Sequence, residues 1–161
     1  QSVTYVACIN CKRSEQEWFV RKSLEIGMVD AIFENDSDDM LDKMTQLNNR
    51  LINYKEEVEN IPRLEIDNEF HKLIYECSGE KLAMNIIQTQ MSHYNRIRYL
   101  AELNKSISAK TNDEHEMLIE AIKNKDKRMY LRVIKAHISR IFNELDKLKG
   151  IYPEYFEKKL K

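Results

Sequence analysis

Apolar residues at Met40, Met44, Leu47, Leu51, Tyr54 and Val58 repeat with a 4-3-4-3-4 spacing. That spacing lines up one stripe of an α-helix, whereas a strand alternates its faces every second residue. It predicts a helix over the whole stretch, with one face to bury against other helices. The punctuation residues agree. Gly is 3 and Pro is 2 in 161 residues, too few for a turn-rich all-β fold. The chain is long enough for one domain with a sizeable core.

Five more helices follow from pattern and caps. Ser14 and Glu17 read as a capping box opening a helix to about Glu34, with Val20, Leu24, Met28 and Ile32 on one stripe. Pro62 opens another, which carries Ile66, Phe70, Leu73 and Ile74 and stops at Ser78-Gly79. A further helix spans about Lys81 to Leu103. Thr111 and Glu114 read as a second capping box, and Asp126 caps a last helix that stops at Gly150. The expected fold is all-α, a six-helix antiparallel bundle over residues 14–161. Residues 1–13, with β-prone Val3-Thr4-Tyr5-Val6-Ala7, are expected to form a short β-like arm.

Charge and cysteines exclude several roles. Lys+Arg is 26 against Asp+Glu 27, a net −1, so this segment lacks the basic balance needed to grip nucleic acid by itself. No apolar run reaches the ~18 residues of a membrane span. Cys8 and Cys11 form a lone C-x-x-C and Cys77 stands apart. Without a second pair or a βαβ context these read as free thiols of a cytoplasmic protein.

The informative residues are polar ones on inward stripes. Asp67 and His71 are four apart on one helix, so they share a face about 6 Å from each other. His115 continues the stripe of Leu118, Ile119 and Ile122, and His137 falls between Ile134 and Ile141. Gln90 and His93 share a face with Ile86 and Ile97. Neutral imidazoles plus one carboxylate suit a divalent metal; His3Asp fits zinc, and also nickel or manganese with added waters. Core histidines in a plain interaction bundle remain the other reading of the same stripes. A di-iron bundle needs Glu-x-x-His pairs. Asn68, Gln90, Asn112 and Ile134 stand three before the four histidines, so that chemistry is absent. A zinc hydrolase bundle or a direct metal sensor is the alternative to a binding module.

The stretch Leu64-Glu65-Ile66-Asp67-Asn68-Glu69-Phe70-His71 resembles the D-x-x-F-H signature of the FCD domain, the effector-binding half of FadR-subfamily GntR transcriptional regulators. Glu114-His115 through Ala121-Ile122 resembles its E-H-x-x-I-x-x-A-I segment, and His137-Ile138 its H-L, 22 positions after His115. Arg21, Leu24 and Glu25 resemble its R-x-x-L-E. Six helices look like the VanR-type branch. The resemblance implies metal ligands at Asp67, His71, His115 and His137, and no enzymatic turnover. It implies a small carboxylate effector over the metal, with Arg21, Gln90, His93, Arg96 and Arg98 as candidate contacts. It also implies a homodimer, for which Trp18, Phe19 and Ile26 offer an apolar face. Operator DNA would be bound through a winged helix-turn-helix domain that precedes this one and is missing from the chain, with residues 3–7 as the last strand of that domain.

Overall fold

The computed structural model describes residues 7–59 and 61–157, and within them the fold is all-α. The helices are α1 (Cys11–Gly27), α2 (Val29–Asn35), α3 (Asp38–Ile52), α4 (Arg63–Ser78), α5 (Lys81–Thr89), α6 (Ser92–Glu102), α7 (Lys105–Lys123), α8 (Lys127–Asn143) and α9 (Leu145–Ile151). The six expected helices thus become nine segments among the described residues, because three of them are broken once. The first breaks at Met28, the fourth at Gln90–Met91 and the sixth at Glu144. At Gln90 and Met91 ψ swings to 7° and 37°, away from helical values, and the chain re-enters a helix at Ser92.

Helix ends follow the local chemistry, though not always at the expected residue. Asn10 caps α1, its side chain accepting from Arg13 N at 2.8 Å. Ser14 lies inside the helix, where its hydroxyl donates to the Cys11 carbonyl. Ser37 and Asp126 cap α3 and α8 by accepting from Met40 N and Met129 N. Gly79 ends α4 in the left-handed region at φ 71°. Thr111 caps nothing: α7 begins six residues earlier, at Lys105, and the Thr111 hydroxyl donates back to the Ile107 carbonyl. Gly150 does not stop α9, which continues to Ile151.

The seam that predicted a long second helix is half right. Met40, Met44 and Leu51 are buried, but α3 ends at Ile52 and Val58 is 73% exposed. The chain instead turns back so that α4 can start at Arg63. Arg63 ties this corner together, donating to the Leu51 carbonyl, Glu102 and Asn112.

The main core joins Ile32, Met44, Phe70, Ile74, Leu118, Ile122, Tyr130 and Ile134 from five helices. α3 packs on α4 and α7, α7 runs along α8, and α1 crosses α6 and α8. A second cluster gathers Ile9, Ile97, Leu100, Ile107, Leu148 and Phe156 at the other end. There Ile9 makes an isolated parallel bridge to Phe156, which ties the start of the described chain to its end. Residues 1–6, most of the expected arm, lie outside the described residues. Trp18, expected on a partner face, packs on Phe142 at 5.1 Å and donates to the Ile138 carbonyl, whereas Phe19 is 64% exposed.

Candidate functional site

α4, α7 and α8 each turn an imidazole into the same buried point. His115 is 0% exposed, His71 2% and His137 9%. Their nearest ring nitrogens lie within 4.8 Å of one another. His71 Nε2 and His137 Nε2 are 3.1 Å apart. The helical period put each histidine on the core-facing stripe of its own helix, and packing of α4, α7 and α8 brings the stripes together. Phe70 floors the site, its ring stacked on His115 at 3.9 Å and 11°.

Asp67, one turn before His71 on α4, stands beside them. Its Oδ1 is 3.3 Å from His115 Nε2, and its Oδ2 accepts from Arg98 on α6. Two further carboxylates face the rings. Glu114 Oε2 is 2.8 Å from His137 Nδ1 and pairs with Arg140; Glu25 Oε2 is 3.8 Å from His71 Nδ1. Glu25 Oε1 accepts from Arg21 Nε at 2.6 Å and from the Tyr75 hydroxyl at 2.5 Å.

The electrostatics keep the rings neutral. Burial pushes the His115 imidazole down to about 3 and the His137 imidazole to about 4, and the nearby carboxylates only partly offset it. Burial, then Arg21, holds His71 well below its ordinary value too. Burial alone would raise the Asp67 carboxyl, but Arg98 and the imidazoles hold it well below the usual carboxylate range. The point therefore offers neutral nitrogens and an ionised carboxylate at neutral pH.

Such a donor set suits a divalent metal. Two nitrogens bound to one ion at about 2.1 Å lie roughly 3.0–3.4 Å apart, which spans the His71–His137 separation. Asp67 Oδ1 and both nitrogens of His115 have no hydrogen-bond partner among the described residues, though all are buried. Buried polar atoms left so are costly in a folded protein, and a cation at the centre would satisfy the inward-facing ones. The His trio could hold a metal ion.

Of the residues expected to meet an effector, the fold brings two to this point. Arg21 and Arg98 both line a cavity of about 190 Å³ on the His71 side, together with Tyr75 and Asn95. Gln90, His93 and Arg96 line neither this cavity nor the small one beside His137. Gln90 is exposed after the break that ends α5. His93 Nδ1 accepts from the Asn10 backbone, and Arg96 donates to the Ala7 carbonyl, so both fasten the start of α1 instead. Glu25, Tyr75 and Arg140 also stand at the site, beyond the residues expected to meet a metal or an effector. The Arg21–Glu25 spacing of four was visible; the contacts of Tyr75 and Arg140 cross between helices and leave no local signal.

A larger cavity, about 780 Å³, opens beyond the end of α3. The Arg63–Glu102 ion pair, at 2.6 Å, lines it, and Glu102 also lines the small cavity beside His137. The larger cavity borders no cluster of potential metal ligands among the described residues.

The sequence profile of the FCD domain matches residues 18–140, most of the chain and all four residues of the Asp67–His71–His115–His137 set. Comparison with curated proteins finds no match. No helix among the described residues is long and apolar enough to cross a membrane.

Proposed function

The chain belongs to the FCD-domain family, and from that premise we propose that it is the metal-dependent ligand-sensing domain of a GntR-type transcriptional regulator. FCD domains are regulatory effector-binding domains. The single observation that carries the metal reading is the convergence of three buried, neutral imidazoles from three helices, with Asp67 Oδ1 beside His115. His71, His115 and His137 would bind the ion through ring nitrogens and Asp67 through Oδ1, whose partner oxygen stays with Arg98. Zinc is the favoured ion for this set, with nickel or manganese next. The ion supplies a positive point to which a carboxylate can bind. Arg21 and Arg98, both buried and both lining the adjoining cavity, supply charge-assisted donors to a small carboxylate there. Tyr75 and Asn95 set the shape of its wall.

Within the family we place the chain in the VanR-like branch of the FadR subfamily. It works in the cytoplasm as a homodimer, with operator DNA bound by a winged helix-turn-helix domain preceding this one. Ligand contacts from α1, α4 and α6 at once would bias how these helices pack, and so the spacing of two DNA-binding heads.

Two measurements test this reading. Protein purified without chelator should carry about one equivalent of a divalent metal by elemental analysis. Calorimetry with small hydroxy acids, sugar acids and dicarboxylates should show binding that is lost after chelation. Equal affinity in metal-free protein would sink the metal-bridged mechanism.

A further inference from the structure

Each imidazole of the triad faces a carboxylate, and each of those carboxylates is paired with a guanidinium: Arg21–Glu25–His71, Arg98–Asp67–His115 and Arg140–Glu114–His137. Asp67 Oδ1 approaches its imidazole at Nε2. Glu25 and Glu114 approach theirs at Nδ1, on the far side from the centre. Resting on the metal reading given above, we propose that Glu114 and Glu25 are the outer carboxylates of the metal site. Glu114 orients His137 and Glu25 orients His71, each through the ring's Nδ1–H, so that both Nε2 lone pairs point at the ion.

Proton accounting supports this. An ionised carboxylate only accepts hydrogen bonds, so the nitrogen beside it carries the proton. A neutral imidazole has a single N–H, and its other nitrogen is then bare. Glu114 Oε2 lies 2.8 Å from His137 Nδ1, a full hydrogen bond. Arg140 Nη2 also approaches that nitrogen, at 3.4 Å, and would donate to it if it were bare. A bare nitrogen would then oppose a carboxylate oxygen at 2.8 Å, so the shorter contact decides the tautomer. At His71 the facing pair is too far apart for a hydrogen bond in the absence of an ion. Neither its Nδ1 nor Glu25 Oε2 has a hydrogen-bond partner among the described residues, and they face each other at 3.8 Å. His137 Nε2 is then bare and can accept from His71 Nε2–H at 3.1 Å; an ion that takes both Nε2 atoms would move the His71 proton to Nδ1, facing Glu25. Such outer partners fix ring orientation and raise ligand basicity. Arg140 and Arg21 in turn pair with the two carboxylates and hold them in place.

Two glutamates act here as positioning residues, and the test must separate that from plain structural support. Cobalt(II) serves as the probe. Its affinity is read by competition with a chelator, and its visible absorption reports ligand geometry. The variants are Glu114→Ala, Glu114→Gln and Glu25→Gln, each checked for folding by circular dichroism in chelator. Glu114→Ala should weaken cobalt binding about 10–100-fold and shift the absorption bands. Glu114→Gln, whose amide oxygen still accepts from Nδ1–H, should recover part of that loss. Glu25→Gln should weaken binding in the same direction. Folded Glu114→Gln and Glu25→Gln proteins, with Glu114→Ala where it folds, that all bind cobalt with wild-type affinity and spectrum would overturn the proposal. Wild-type protein that takes up neither cobalt nor zinc would overturn the metal reading itself, and this inference with it.

Discussion

His71 Nε2 and His137 Nε2 lie 3.1 Å apart although they belong to different helices, α4 and α8. That distance matches two ligands of one ion, so a metal bound there would join α4 to α8 at the bundle centre. Zinc in excess should therefore raise the melting temperature. At a free concentration 100 times its Kd, the gain is about 2.7 kcal/mol. His115→Ala should lose most of this gain, while its stability in chelator falls as well, because the ring stacks on Phe70. Thermal melts of both proteins, with zinc and with chelator, check this. An equal zinc shift in both would remove His115 from the site.

Acid should loosen the metal-free domain through the same rings. In the unfolded chain an imidazole takes its proton near pH 6.5, as an ordinary histidine does. In the folded chain His137 waits until about 4 and His115 until about 3. Between these values the unfolded state binds more protons, so stability rises with pH there. It is fully present above about pH 6.5 and drains as pH falls toward 3, at up to about 1.4 kcal/mol per pH unit for each ring. Urea titrations in chelator from pH 7 to pH 4 should show midpoints falling steadily. A flat profile would mean that the rings take up protons at the same pH in the folded and unfolded states.

Arg21 tests how a buried ion pair is balanced. It is 3% exposed, and its partner Glu25 is 2% exposed. Arg21→Ala strands an anion in the core, and breaking a buried pair in this way costs about 3–5 kcal/mol. Arg21→Lys keeps the charge but loses the planar fork, so it should lose less stability. Chemical denaturation in chelator measures both. An Arg21→Ala protein as stable as wild type would show that Glu25 finds another partner or a proton.

The candidate site residues are legible in the sequence because a helix repeats its face every three to four residues. Asp67 and His71 are four apart on α4, and His115 and His137 continue apolar stripes. The all-α class followed from the same period. Less legible was where a periodic pattern stops being one helix. Met28, Met91 and Leu145 all stay on buried stripes across a break, so hydrophobicity gives no sign of it. Tyr54 and Val58 misled for the opposite reason. They keep the period of α3, but the chain must leave the helix for Arg63 to reach Leu51, Glu102 and Asn112. Glu114 read as a cap partner of Thr111 because capping boxes are local, while its actual partners, His137 and Arg140, come from α8.

Two helix ends make a paired prediction about backbone conformation. Gly79 closes α4 at φ 71°, and open space surrounds the position of a Cβ there. Gly79→Ala therefore meets no steric neighbour. Its cost is the intrinsic penalty of the left-handed region, about 1–2 kcal/mol. Lys125 closes α7 at φ 55° without being glycine. Its N–H donates to the Ile122 carbonyl and the next N–H to the Ala121 carbonyl, so the conformation is held by the cap itself. Lys125→Gly should relieve that penalty and gain up to about 1 kcal/mol, less a few tenths for the lost ion pair with Asp36. Urea unfolding of the two variants in one buffer should move the midpoint in opposite directions. If both lose stability by similar amounts, then the Lys125 side chain contributes more through its contact with Asp36 than its backbone costs.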